Sequence, residues 1–123
     1  LDEIHYLKTG KLIEACVESI CILKKDLPKK HLKAFLDFAK KFGLAFQIKD
    51  DILDVLGEEK TIGKPVNSDS KLNKATYPSI IGLEASQLRA EKLCSEALKI
   101  LNKLPYNTDN LIKLSKFIIL RNK

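Results

Sequence analysis

Apolar and polar positions divide this chain into four helix-length segments, without the period-two alternation that marks strands. The first spans 1–23 and turns heavily apolar beyond Leu12 (Ile13, Ala15, Cys16, Val17, Ile20, Cys21, Ile22, Leu23). Lys24-Lys25-Asp26-Leu27-Pro28 reads as a connection, with Pro28 opening a second helix over 29–56 and Gly57 as its C-terminal stop. Residues 58–77 carry Gly63, Pro65, Asn67, Ser68, Asp69, Ser70 and Asn73 and few large apolar side chains. A polar connection of about 20 residues between buried helices fits a lid or binding segment. Pro78 starts a third helix to residue 104, with Glu84, Arg89, Glu91 and Lys92 on its wetter face. Pro105-Tyr106-Asn107 is a turn, and Thr108 suits the N-cap of a last helix over 109–120. The pattern predicts one all-α unit with no repeat.

The second segment breaks its own pattern. Asp50-Asp51-Ile52-Leu53-Asp54 sets three carboxylates between Phe42-Gly43-Leu44-Ala45-Phe46-Gln47-Ile48 and Val55-Leu56-Gly57. At 100° per residue from Gln47, Asp51 falls at about 40°, Asp54 at about 340°, Gly43 at about 320° and Asp50 at about 300°. One stripe therefore carries the acids and the amide, and the rest of the circumference is apolar except Lys49. A helix apolar nearly all round is a core helix, so its polar stripe is expected to line an internal cavity. Carboxylates leave water only when a cation compensates, and hard oxygen donors favour Mg²⁺ or Ca²⁺. A solvated acidic face is the bland alternative, and the apolar flanks argue against it.

Composition narrows the classes. At 123 residues the chain suits one domain. It has no Met and opens on Leu1 inside a helical pattern, so it reads as part of a longer protein. No apolar run approaches the length of a membrane span. The charge of +6 rests on 22 basic residues, only two of them Arg. Scattered lysines favour solubility and local anion contacts over nucleic-acid readout, which leans on Arg. Cys16 and Cys21 lie about 140° apart on one helix and do not bridge readily. Buried, reduced thiols in a cytoplasmic protein are the simplest account. His5 and His31 stand isolated and are expected at the surface.

Lys8-Thr9-Gly10, Gly63-Lys64-Pro65 and Lys74-Ala75-Thr76-Tyr77-Pro78 add candidate cations around the stripe. Gly10 costs helix stability, which a close backbone or ligand approach would explain. Taken in order with Phe46-Gln47-Ile48-Lys49-Asp50-Asp51-Ile52-Leu53-Asp54, Gly57, Asp69 and the terminal Ile118-Ile119-Leu120-Arg121-Asn122-Lys123, these runs resemble the trans-prenyltransferases. Those are the short-chain polyprenyl diphosphate synthases, and the bacterial farnesyl-diphosphate-forming members look closest. Asp50-Asp51-Ile52-Leu53-Asp54 resembles their second aspartate-rich motif, and Lys8-Thr9-Gly10 their upstream lysine-threonine motif.

The resemblance implies the C-terminal half of an isoprenoid-synthase-type helical bundle, residues 1–123 being part of a single prenyltransferase domain. It implies an Mg²⁺-dependent condensation of isopentenyl diphosphate with dimethylallyl or geranyl diphosphate to farnesyl diphosphate, through an allylic carbocation. Three Mg²⁺ ions are implied, with Mn²⁺ as a substitute, held in part by Asp50, Asp51 and Asp54. Lys8, Lys64 and Lys74 match lysines that grip the allylic diphosphate, and Thr9 and Gln47 match groups facing the allylic carbon. Phe46 borders the prenyl pocket or packs in the core, and Asp69 matches an acidic loop position bridging to the metals through water. Ala75 replaces a small polar residue common in bacterial members. A homodimer in the cytoplasm is implied, with no nucleic-acid partner. The family's first aspartate-rich motif and homoallylic-substrate residues are not in this chain, so the chain alone is expected to be inactive and to expose apolar helix faces. The alternative is a non-catalytic partner subunit of a heteromeric synthase. An EF-hand Ca²⁺ module fails on the spacing of its acids.

Overall fold

The computed structural model describes residues 1–62 and 75–122, and every regular element among them is helical. Helix α1 (Asp2–His5) runs through a π-helical turn (Tyr6–Gly10) into α2 (Lys11–Leu23). Helix α3 (Lys29–Ile62) is followed by the short α4 (Tyr77–Ile81), then α5 (Leu83–Asn102) and α6 (Asp109–Leu120). The all-α expectation holds.

Helix α2 ends where Lys24 turns extended. Pro28 then nucleates α3: its carbonyl accepts from the N–H groups of His31 and Leu32 at 2.9 and 3.0 Å, while its own lacking N–H costs nothing at a helix start. At 34 residues and 1.5 Å per residue, α3 is about 50 Å long, and it touches every other element. Its central residues Phe38, Ala39, Ala45, Ile48 and Ile52 are buried. Opposite them, α5 turns in Ser86, Ala90, Cys94, Ala97 and Leu101, a spacing of three or four that keeps them on one face. Four of the five are small, so the two helices approach closely. Ile48, Ile52, Tyr77 and Ala90 form one core cluster, and Phe38, Ala97 and Leu101 another, over which Leu111 and Ile112 of α6 close. The first turn of α3 is tied to the α5–α6 connection by His31, whose Nδ1 lies 2.7 Å from the Tyr106 hydroxyl.

Several boundaries differ from the sequence expectation. The first segment is helical throughout but contains the π turn. Gly57 does not stop α3, which continues to Ile62; a glycine in a helix interior costs only about 1 kcal/mol against Ala, and Glu58, Glu59 and Lys60 are good helix formers. The third segment is two helices. Thr76 and Ser79 form a reciprocal capping box at the start of α4, with Pro78 in its first turn, and Gly82 breaks the chain with φ 89°, ψ 162°. Its carbonyl then starts α5 by accepting from Ser86 N–H and from Ser86 Oγ at 2.6 Å. That backbone region is open essentially to glycine alone. Gly82→Ala is therefore expected to cost about 1–3 kcal/mol in urea unfolding, with no steric contribution, since an added Cβ meets nothing within 4 Å. Thr108 occupies the N-cap of α6 without a side-chain cap; Asn107 Oδ1 accepts from Asp109 N–H at 3.1 Å instead.

Cys21 and Cys94 are buried as expected, but Cys16 is exposed. It sits on a face of α2 that also leaves Leu12, Ile20 and Leu23 exposed. No helix of the described residues is long and apolar enough to cross a membrane.

Candidate active site

The site is built where the π turn crosses α3. An ideal Cβ on Gly43 would lie 3.1 Å from the Cα of Gly10 and 3.5 Å from Ile13 Cδ1. Gly43 thus lets the backbone of the π turn touch α3, whereas a Cβ on Gly10 would press on Tyr6 Cδ2 of its own turn at 3.1 Å. Because Gly43 shares its stripe with Gln47, Asp50, Asp51 and Asp54, this contact brings the turn that carries Lys8 to the acids, and the Lys8 charge acts on Asp51. A π turn at such a crossing shifts the register of α1 against α2, and such turns cluster at functional sites. Gly43→Ala presses a methyl on backbone rather than on a flexible side chain, so an overpacking cost of about 1–3 kcal/mol is expected in thermal or urea unfolding.

Gln47 is 3% exposed, within the core. The acids differ from one another. Asp51 has 15% of its side chain exposed, and its Oδ2 takes two partners: His5 Nε2 at 2.9 Å and the backbone N–H of Tyr77 at 3.1 Å. Asp50 is 49% exposed and accepts from Arg121 Nη2 at 2.8 Å. Asp54 is exposed. Burial pushes the Asp51 carboxyl above the usual carboxylate range; His5 and, behind it, Lys8 pull the other way, and the Asp50 charge adds to the rise. The exposed Lys8 ammonium is thus close enough to act on the stripe.

Three readings need correction. The stripe runs from buried Gly43 and Gln47 out to Asp50 and Asp54, which are open among the described residues rather than lining an enclosed cavity. An apolar cleft of about 430 Å³ lies elsewhere, lined by Val17, Cys21, Phe35 and Tyr106. His5 is 5% exposed rather than a surface residue, and His31 is half-buried. The cations that offset carboxylate desolvation are partly the protein's own, since Arg121 reaches Asp50 from beyond α6. Arg121 also spans Phe46, its guanidinium carbon 4.6 Å from the ring centroid, so one face of Phe46 is covered. Lys64, Asp69 and Lys74 lie outside the described residues.

Sequence reasoning missed His5 and Arg121. His5 had a signal: it precedes Thr9 by four residues and so shares a helical face with the lysine-threonine pair. Arg121 had none, being 71 residues from its partner.

Behind the stripe, the buried Lys49 places its Nζ 3.4 Å from Gln87 Oε1. Burial, then the nearby Arg121 charge, lower its pKa from 10.5. In the window between that lowered value and 10.5 the unfolded chain binds more protons than the folded one, so stability gains as pH rises through it. Lys49→Met removes this gain, and the stability difference between wild type and variant is expected to change in that alkaline window alone.

Among the described residues no three His, Cys, Asp or Glu side chains gather as a metal cage. The donor set still fits a hard cation, because Mg²⁺ is commonly held by one or two carboxylates with water and substrate phosphate completing the shell. Asp50 and Asp54 stand one helical turn apart on an open face, and nothing among the described residues pairs with Asp51 Oδ1.

An all-helical core presenting carboxylates opposite a lysine-threonine turn defines a class. Residues 1–114 match the family model described as polyprenyl synthetase, and the chain belongs to that family. It is 40% identical over 126 residues to farnesyl diphosphate synthase of Escherichia coli (strain K12), covering 100% of this chain and 42% of that protein. Farnesyl diphosphate synthase of Micrococcus luteus is 46% identical over 126 residues, again with 100% and 42% covered. Geranylgeranyl diphosphate synthase of Cyanophora paradoxa is 42% identical over 122 residues, with 99% and 40% covered. The chain spans about two fifths of the length of the curated relatives it matches.

Proposed function

We propose that these residues are the C-terminal portion of a trans-prenyltransferase that joins isopentenyl diphosphate to dimethylallyl or geranyl diphosphate, with farnesyl diphosphate as product. The observation that supports the reading is the crossing on Gly43 of Gly10, two residues beyond Lys8, whose charge acts on Asp51.

In this reading Asp50 and Asp54, with the remaining oxygen of Asp51, would hold Mg²⁺; three ions are expected in the complete site. Bound Mg²⁺ supplies charge neutralisation for the departing diphosphate. Lys8, Lys64 and Lys74 bind the allylic diphosphate as point charges. Thr9 and Gln47 turn their oxygen dipoles toward the allylic carbon, where positive charge develops, so they stabilise it without reorganising. Phe46 borders the prenyl chain, and Asp69 would bridge to the metal ions through water. No protein nucleophile is required: the isopentenyl double bond attacks the cation, and the diphosphate takes the proton that is lost. The parent protein is a cytoplasmic homodimer, and residues 1–123 alone do not turn over.

The deciding experiment incubates the full-length parent with isopentenyl and dimethylallyl diphosphates and Mg²⁺, and analyses the products by chromatography. A C15 diphosphate is expected. A C20 product would keep the reaction and correct the chain length, as the mixed names of equally similar relatives allow. No condensation product would overturn the reading in favour of a non-catalytic partner subunit.

A further inference from the structure

We propose that His5 is a positioning residue for Asp51: its Nε2–H fixes Oδ2 and thereby turns the other carboxylate oxygen to the open face where a metal-bound diphosphate sits. The inference rests on the function proposed above and adds a residue to it.

Four observations carry it. The Tyr77 backbone N–H can only donate, so Asp51 Oδ2 is an acceptor, and His5 Nε2 meets the same oxygen at 2.9 Å as an N–H donor. Two donors arriving from different elements, α1 and the start of α4, leave the carboxylate little rotational freedom. His5 Nδ1 is buried with no partner among the described residues, so a ring protonated on Nε2 leaves only an unfilled acceptor there; the other tautomer would bury an orphan N–H and present a lone pair to the carboxylate. The imidazole also stacks on the Tyr77 ring, with centroids 5.6 Å apart and planes at 23°. Tyr77 is in turn covered by Arg89, which donates from Nε to its hydroxyl at 3.2 Å and from Nη2 to Asp2 at 2.8 Å. His5 is therefore itself held by a ring that is held in turn, which a positioning group requires. Groups behind a metal-binding carboxylate commonly contribute 10- to 100-fold in metal affinity.

Hydrogen bond and ring stack can be separated. His5→Phe keeps a ring on Tyr77 and loses the donor. His5→Gln keeps an N–H at a similar reach and loses the ring. Binding of Mg²⁺ with inorganic pyrophosphate to the full-length parent is measured by calorimetry, which needs no turnover. His5→Phe is expected to weaken it about 10- to 100-fold while the melting temperature of the metal-free protein stays near wild type, and His5→Gln is expected to recover most of the loss. Wild-type affinity in His5→Phe, or a His5→Gln no better than His5→Phe, would overturn the proposal. So would a wild-type parent with no Mg²⁺-dependent pyrophosphate binding. A parent that binds both but makes no condensation product would sink the function and leave this test standing. Should His5→Phe fail to fold, nitrogen-15 NMR of the wild-type histidines decides: a protonated Nε2 with bare Nδ1 on His5 supports the role, and the opposite tautomer overturns it.

Discussion

Asp50→Ala in the full-length parent is expected to lower turnover by about 10²-fold or more, the effect of removing one preorganised charge from a site that works by stabilising charge. Asp50 is the most consequential of the three acids because it is half-exposed on α3 and, among the described residues, pairs only with Arg121 Nη2 at 2.8 Å. The substitution also leaves Arg121 without its carboxylate, and Arg121 Nε already has no partner among the described residues. Asp50→Asn separates the two effects, since its amide oxygen still accepts from Arg121 but carries no charge for a cation. Both variants should lose turnover by similar factors, and only Asp50→Ala should also lose thermal stability. Near-normal turnover in either variant would remove Asp50 from the site.

Ile48→Ala is expected to destabilise the fold by about 2–5 kcal/mol, measured by urea unfolding. Ile48 has no exposed surface and packs with Ile52, Tyr77 and Ala90, with Leu44 and Leu93 around them. Truncation loses the transfer free energy of the removed carbons, and the cavity stays open because α3, α4 and α5 all border it. Tyr77 belongs to this cluster and also donates its backbone N–H to Asp51, so the loss reaches the acid stripe through one residue. Ile48→Val, which removes a single methylene, should cost about 0.5–1.5 kcal/mol. Equal losses in the two variants would show that the site collapses freely and that the packing argument is wrong.

Periodicity sufficed for the helices whose ends coincide with Pro28 and the Pro105-Tyr106-Asn107 turn, because proline and turn residues act locally. It failed at Gly57 and Gly82 for opposite reasons. Gly57 carries a stop signal that the following helix formers override. Gly82 lies inside an apolar run, Ile80-Ile81-Gly82-Leu83, where nothing local announces a positive φ; the break exists because α4 must leave the direction of α5 to bring Tyr77 over Ile48.

The acid stripe itself was decided by sequence. Three aspartates within five residues on an apolar helix occupy one face whatever else the chain does, since 3.6 residues per turn leaves no other arrangement. The lysine-threonine-glycine run was likewise legible as a place where something must approach closely. Tertiary structure alone decided what approaches and what each acid meets. Gly10 meets Gly43 because two backbones cross there, Asp51 meets a histidine 46 residues away, and Asp50 meets an arginine 71 residues away. Helical spacing is a property of neighbours along the chain. The partner of a half-buried charge is set by how α1, α3 and the tail beyond α6 pack, and no local pattern encodes that.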